Sequence, residues 1–215
     1  RNATIDGLQA GDLNTKLTIK GGCMTEHQDI QLSVVGCGMW GRNIARNCAG
    51  LGVLRSVVDN SPERAAEFAQ SFSAATASFA EVCADKAIHG VMISASAAAH
   101  EPLAIQALQA GKHVFIEKPM ALTLAAAEAI NTAAKAADRQ VMIGHLIRYH
   151  PAFTELCAQV KGGSVVKIRH IQANRLSMGR IRNTESALFD LCPHDLSLIL
   201  ALTGTLPTKV TCHGA

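Results

Sequence analysis

The sequence predicts an α/β protein built on a doubly wound parallel sheet and followed by the start of a second domain. Three observations predict it. Apolar, strand-like runs alternate with helical patterns from residue 30 to about residue 148, the order that puts helices on both faces of a parallel sheet. A glycine-rich turn joins the first strand to the first helix. An acidic residue closes the second strand, about 20 residues further on, where a dinucleotide site needs one.

Each element has a local signal. The apolar run 30–35 leads through the glycine turn into a helix over about 40–49, which Gly50 and Gly52 stop. The β-branched run 53–58 is a second strand. A helix follows it with Ser61 as N-cap and Pro62 at the first helical position. Ser78 with Glu81 three residues later is a capping box, opening a short helix. Residues 88–94 read as a buried strand. A helix is expected over 102–110, starting at Pro102, with Leu103, Ala107 and Leu108 on one face and Gly111 as its stop. Strand 113–116, a helix capped by Thr123 and running to about Ala137, and strand 141–143 complete the sheet. Beyond Tyr149 the pattern changes to a helix (151–160), a strand (165–173), a polar basic loop (174–183), a helix (about 192–202) and a strand-like run (208–213). The expected organisation is an N-terminal extension (1–29), polar and without a period, then a nucleotide-binding domain (30–148), then an incomplete second domain (149–215). A strand without partners at 208–213 reads as a truncated sheet, since a sheet needs several strands.

Composition sets outer bounds. The 215 residues are 48% apolar and only 4% aromatic, as in globular α/β chains rather than disordered or fibrous ones. A net charge of +3 with scattered Lys and Arg argues against a nucleic-acid partner. No apolar run reaches the ~18 residues of a membrane span, and the N-terminus lacks a signal-peptide pattern. The seven cysteines include no C-x-x-C pair and read as reduced thiols. A cytoplasmic location is therefore expected.

The turn reads Gly36-Cys37-Gly38-Met39-Trp40-Gly41. In the dinucleotide fingerprint the first glycine makes a tight turn, the second lets pyrophosphate approach the backbone, and the third packs helix on strand. The phosphates would sit on free N–H groups of a helix starting near Met39. Asp59 would bond the adenosine ribose hydroxyls and repel a 2′-phosphate, which favours NAD over NADP; Arg64, close by, leaves NADP open. Asp59 could otherwise be a plain helix-start charge. Ligands of such sheets lie beyond the carboxyl ends of the strands. That rule gathers Gly36, Asp59, Ser94 to Ala98, Glu117 and Gly144 around one crevice.

Two constellations carry chemistry. Glu117-Lys118-Pro119 follows a strand end, and a lysine there can exchange a proton with a substrate oxygen while hydride moves at carbon. The alternative is a surface lysine in a proline-closed turn. Asp190 and His194 stand one helical turn apart, where a carboxylate can set an imidazole's tautomer. A metal site from His145, His150, Cys192 and His194 matches no familiar zinc spacing, and no metal is expected.

Gly-x-Gly-x-x-Gly-Arg-Asn at 36–43, Glu117-Lys118-Pro119, Gly144-His145 and the D-x-x-x-H pair Asp190 and His194 resemble the glucose–fructose oxidoreductase/inositol dehydrogenase (Gfo/Idh/MocA) family over about residues 30–213. The resemblance implies a Rossmann domain followed by an open-sheet α+β substrate domain, of which only part is present. It implies Lys118 and His194 as the acid–base pair with Asp190 orienting. Cofactor contacts would come from Gly36, Gly38, Met39, Trp40, Gly41, Asp59, Ser94, Ala95, His100, Glu117, Lys118 and His145. The segments 144–153, 174–182 and 193–197 are similar to the sugar-nucleotide branch, the UDP-N-acetylglucosamine and UDP-N-acetylglucosaminuronate 3-dehydrogenases. That likeness implies substrate contacts from Tyr149, Asn174, Arg175, Arg180, Arg182 and Asp195. Three arginines in one loop suit a diphosphate or a sugar carboxylate, though a solvated basic loop would look the same.

The expectation is an NAD-dependent dehydrogenase of a sugar-nucleotide hydroxyl, with a small-molecule substrate and a homo-oligomeric full-length protein. A polyol or inositol dehydrogenase is the rival enzyme. A redox-sensing or scaffolding NAD module is the rival outside catalysis; it would not need Lys118, Asp190 and His194 together.

Overall fold

A computed structural model of the protein describes residues 30–163, 168–175, 187–211 and 213. Six parallel strands form one sheet in the order β3-β2-β1-β4-β5-β6. They are β1 (Leu32–Val35), β2 (Leu54–Val58), β3 (Ala75–Thr76), β4 (Gly90–Ile93), β5 (His113–Ile116) and β6 (Val141–Ile143). The order reverses between β1 and β4, so the chain turns outward in both directions from β1 and leaves a crevice at their carboxyl ends. β3 has only two exposed residues, too few to leave a sequence pattern, and it is the one strand of the sheet that the hydrophobic periodicity does not predict.

The helices are α1 (Met39–Gly50), α2 (Pro62–Phe72), α3 (Phe79–Ala84), α4 (Ala97–Gln109), α5 (Leu124–Ala137), α6 (Pro151–Lys161) and α7 (Ala187–Thr203), with a 3₁₀ turn at Leu146–Tyr149. Neighbouring residues of one strand feed opposite layers. Val34 and Val57 pack with Ala45, Cys48 and Phe68 of α1 and α2. Val35 and Val58 pack on the other face with Val82, Ala104, Leu108 and Ile130 of α3, α4 and α5. This is the period-two alternation of a strand with both faces covered. The expected caps are present: Ser61 Oγ accepts from Arg64 N–H, Ser78 and Glu81 close a full capping box, and Thr123 accepts from Ala126 N–H.

Three expectations are corrected. The helix expected from Pro102 begins a turn and a half earlier, at Ala97, with Pro102 inside it. One missing N–H is outweighed by the apolar face that includes Ala104, Ala107 and Leu108, all fully buried. Likewise α7 starts at Ala187 rather than near Cys192 and carries Pro193 in its interior. The strands expected over 165–173 and 208–213 do not form among their described residues, 168–173, 208–211 and 213. Without a partner strand at hand, an extended run has no ladder to join. Beyond β6 the described chain continues as α6 and α7, and α7 packs on α6 and on the 3₁₀ turn. Among the described residues no helix is long and apolar enough to cross a membrane. Cys37, Cys48, Cys83, Cys157 and Cys192 are free thiols.

Ile116, the last residue of β5, is fully buried between layers. Ile116→Ala is expected to cost about 2–5 kcal/mol in urea unfolding, with an unchanged slope against denaturant.

Candidate active site

The loops that follow β1, β2, β4, β5 and β6 meet at one end of the sheet. The β1 loop is shaped by two positions that exclude a side chain. Gly36 has φ +99°, and a Cβ on it would come within 2.7 Å of the Ser94 and Ala95 backbone. A Cβ on Gly41 would lie 1.9 Å from Gly36 O, so the first turn of α1 rests directly on the strand end. Ser94 Oγ donates to Gly36 O at 2.8 Å and fixes the turn from the β4 side. Gly38 differs: a Cβ there would meet nothing within 4 Å. The space in front of it is open, as a pyrophosphate would need.

Helix α1 supplies the donors. Its first internal bond runs from Arg42 N–H to Gly38 O, so the N–H groups of Met39, Trp40 and Gly41 have no acceptor within the helix. Gly38 offers no capping side chain, and the first turn has no acidic residue. An anion is the natural occupant of such a terminus. Met39 and Trp40 are exposed beside it.

Asp59 stands at the end of β2. Its Oδ2 accepts from Cys37 N–H at 2.7 Å, and its Oδ1 accepts from Ser61 N–H at 2.8 Å and Arg64 Nη2 at 2.7 Å. Burial works against the charged form, but the bonds from Ser61, Arg64 and Cys37 prevail and hold the carboxyl below its ordinary range. Cys37 is buried, and burial together with the Asp59 charge pushes its thiol up to about 11. It is therefore inert at neutral pH rather than a redox group.

The β5 loop carries Glu117 and Lys118, with a cis peptide between Lys118 and Pro119. Lys118 reaches α7: its Nζ donates to Asp190 Oδ1 at 2.6 Å and to Asp190 O at 2.8 Å. The two chemical constellations of the sequence thus meet in space. The pairing itself is unexpected, because the Asp190 carboxylate takes Lys118, while His194 Nδ1 is buried with no partner among the described residues. His194 is only 9% exposed. Its pKa is lowered by burial and then by the charges of Lys118, Arg175 and His145, which leaves a neutral imidazole near pH 7. His145 is alike, with an unpartnered buried Nδ1 and a pKa lowered first by burial and then by Arg148. Glu117 is buried beneath the crevice, and burial raises its pKa against the smaller opposing effects of Lys118. Gly144 makes room for it, since a Cβ there would stand 3.1 Å from the Glu117 carboxyl.

The remaining expected residues divide. His100 is 1% exposed, with Nδ1 at 2.8 Å from Pro119 O and Nε2 at 3.1 Å from Ala95 O. Both nitrogens face backbone carbonyls, and the ring braces the crevice wall from behind. Arg175 grips Asp195 through two parallel bonds of 2.9 Å, near His194. Tyr149 is exposed on the 3₁₀ turn and Asn174 is exposed beside Arg175. Arg180 and Arg182 lie outside the described residues. Among the described residues no group of His, Cys, Asp and Glu is arranged to hold a metal.

A doubly wound sheet with this glycine turn, acidic strand end and open helix terminus defines a dinucleotide-binding protein of the Rossmann class. Residues 30–145 match the oxidoreductase family with an NAD-binding Rossmann fold, and the chain belongs to that family, Gfo/Idh/MocA. It is 35% identical over 191 residues to the UDP-N-acetylglucosamine 3-dehydrogenase of Acidithiobacillus ferrooxidans, covering 86% of this chain and 58% of that one. A crystal structure of that relative superposes with a TM-score of 0.76 at 33% identity, over 84% of this chain and 58% of that one. The myo-inositol dehydrogenase Hyg17 of Streptomyces leeuwenhoekii is 30% identical, covering 86% of this chain and 59% of that one. The crystal structure of GenD2 from gentamicin A biosynthesis, in complex with NAD, gives a TM-score of 0.73 at 26% identity, over 88% of this chain and 57% of that one. The chain therefore spans less than two thirds of the length of these relatives.

Two outcomes test the site. Trp40, the only tryptophan, reports occupancy by its fluorescence. Gly38→Ala should leave stability unchanged but weaken NAD at least about tenfold, because its methyl fills the space a phosphate needs. Gly41→Ala should lower both stability and binding, because its methyl meets Gly36 O. Separately, the folded pKa of Glu117 lies above its ordinary 4.5. The folded state then holds more protons than the unfolded one, and stability falls as pH rises above that value. Glu117→Gln should flatten this slope and raise Tm at pH 7, measured by thermal melts across the acid range.

Proposed function

We propose that the chain carries the cofactor site and the acid–base groups of an NAD-dependent dehydrogenase. Its substrate would be a secondary hydroxyl, at C3, of a sugar nucleotide. The observation that carries this reading is the Lys118–Asp190 contact. It draws a lysine at the end of β5 and an imidazole on α7 to the same crevice, beside the open glycine turn. A protein that only sensed the nucleotide would need the turn and Asp59 alone.

Bound NAD would supply the hydride acceptor; the chain supplies position and proton transfer. An ammonium has three donors, and Lys118 spends two on Asp190, leaving one for a substrate oxygen. Asp190 keeps that donor aimed. His194 is the proton acceptor in this reading, because burial and its positive neighbours keep it neutral near pH 7. Glu117 and His145 line the floor and exclude water. By the same geometry His100 holds the lysine loop from behind.

Support for the substrate class comes from the 35% identical relative that bears a sugar-nucleotide name, and from Arg175, whose guanidinium keeps donors free beyond those on Asp195. The rival substrate is a free polyol. It is favoured by relatives named inositol dehydrogenases, at 30% and 28% identity.

NADH formation from UDP-N-acetylglucosamine and from myo-inositol, offered in parallel to the full-length protein, separates the two readings. Turnover of inositol alone would decide for the polyol. Lys118→Ala and His194→Ala should each lower kcat by about 10²–10⁴-fold. If neither did, the proposed roles would be wrong. The acid limb of kcat/KM should fall below pH 6.5, the ordinary imidazole value, and should be missing from His194→Gln.

A further inference from the structure

The residue after His194 on α7 is gripped from outside the helix. Arg175 Nε donates to Asp195 Oδ2 and Arg175 Nη2 to Asp195 Oδ1, each at 2.9 Å. Arg175 ends the described stretch 168–175, which joins no helix or strand, so this fork ties an irregular stretch to the helix. The two side chains are 33% and 23% exposed. A two-bond fork largely withdrawn from water is worth more than an open surface pair.

Consecutive helix residues point about 100° apart, so Asp195 does not face the imidazole it follows. Its influence on His194 runs through backbone and through charge. The backbone of this turn is held on both sides. Lys118 holds the turn before it through Asp190, and the fork holds the residue after it. Ser197 Oγ donates to His194 O at 2.7 Å, with both residues buried. The charges bracket the ring as well. Lys118, Arg175 and His145 add to burial in disfavouring the imidazolium, and Asp195 opposes them. The fork keeps the Asp195 carboxyl below its ordinary range, so it stays charged at neutral pH.

We infer that Arg175 and Asp195 are positioning residues for His194. Their fork ties the 168–175 stretch to the helix turn that carries the imidazole, and it sets one positive against one negative charge beside it. The inference rests on His194 being the proton acceptor of the proposed dehydrogenase. It gives Arg175 a role besides any contact its three remaining N–H donors make with a substrate.

Kinetics of NADH formation by the full-length protein, with UDP-N-acetylglucosamine or myo-inositol, test it. Arg175→Gln and Asp195→Asn each break the fork, and each should lower kcat at least about fivefold. The acid limb of kcat/KM should move in opposite directions. It goes to higher pH in Arg175→Gln, which removes a charge that disfavours the imidazolium, and to lower pH in Asp195→Asn, which removes one that favours it. Arg175→Lys keeps the charge; it should leave the limb in place and recover part of kcat. A raised KM in Arg175→Gln with kcat and limb unchanged makes Arg175 a substrate contact only and overturns the inference. Limbs that move alike, or not at all, overturn it too. If the unaltered protein turns over neither substrate, the proposed function falls first. The NMR titration of the His194 ring in the 215-residue chain, assigned by loss of its signal in His194→Gln, then decides: opposite displacements in the two variants sustain the inference, and equal or absent ones overturn it.

Discussion

The crevice depends on one close approach. Gly41 of α1 lies so near the carbonyl of Gly36 that no side chain fits between them, and Gly36 in turn lies against the Ser94–Ala95 backbone. Strand β1, helix α1 and the loop after β4 are locked together at a single point. The free N–H groups of α1 then face the crevice, and Gly38 is left as the one glycine of the three with open space before it. Asp59 joins the same assembly through Cys37 N–H, so the acidic end of β2 is bonded to the turn whether or not a ligand is present. The glycine turn is therefore set by backbone geometry more than by side chains.

The electrostatics of the crevice divide along its length. Around the end of β2 stand two ion pairs, Asp59 with Arg64 and Arg42 with Glu67. At the catalytic end one ion pair, Lys118 with Asp190, stands among groups that burial keeps toward neutrality, namely Glu117, His145 and His194. The pair itself is part-buried, with the Lys118 and Asp190 side chains 11% and 25% exposed. A pair flanked by neutral imidazoles suits proton exchange, because each neighbour can accept or return a proton near neutral pH. Arg175 with Asp195 borders this end and contributes to holding His194 neutral.

How legible each part was follows from the range of the signal that encodes it. The glycine turn, the caps at Ser61, Ser78 and Thr123, and the buried-strand runs are local, and their residues could be read in order. β3 was illegible because two exposed residues make no pattern. Pro102 and Pro193 misled because a proline costs one hydrogen bond, and a buried apolar face can outweigh that. The strands expected after residue 164 rested on β-branched composition alone, and composition does not supply a neighbour to pair with. The Lys118–Asp190 contact spans the chain from β5 to α7 and has no local signature at all. From sequence, helical spacing pairs Asp190 with His194; in space the Asp190 carboxylate also holds Lys118.

His100 shows how the two ends of the crevice are coupled. Its buried ring stands between Ala95 O, in the loop that packs on Gly36, and Pro119 O, in the loop that carries Lys118. Both ring nitrogens lie within hydrogen-bonding distance of a carbonyl oxygen, and which of them donates depends on the tautomer. Either way the ring fills the gap between the β4 and β5 loops and fixes their spacing. The glycine turn and the loop that carries Lys118 thus hang from the same support. The spacing between the glycine turn and the Lys118 loop is therefore set within the sheet edge, and Asp190 on α7 then holds the lysine Nζ by two bonds.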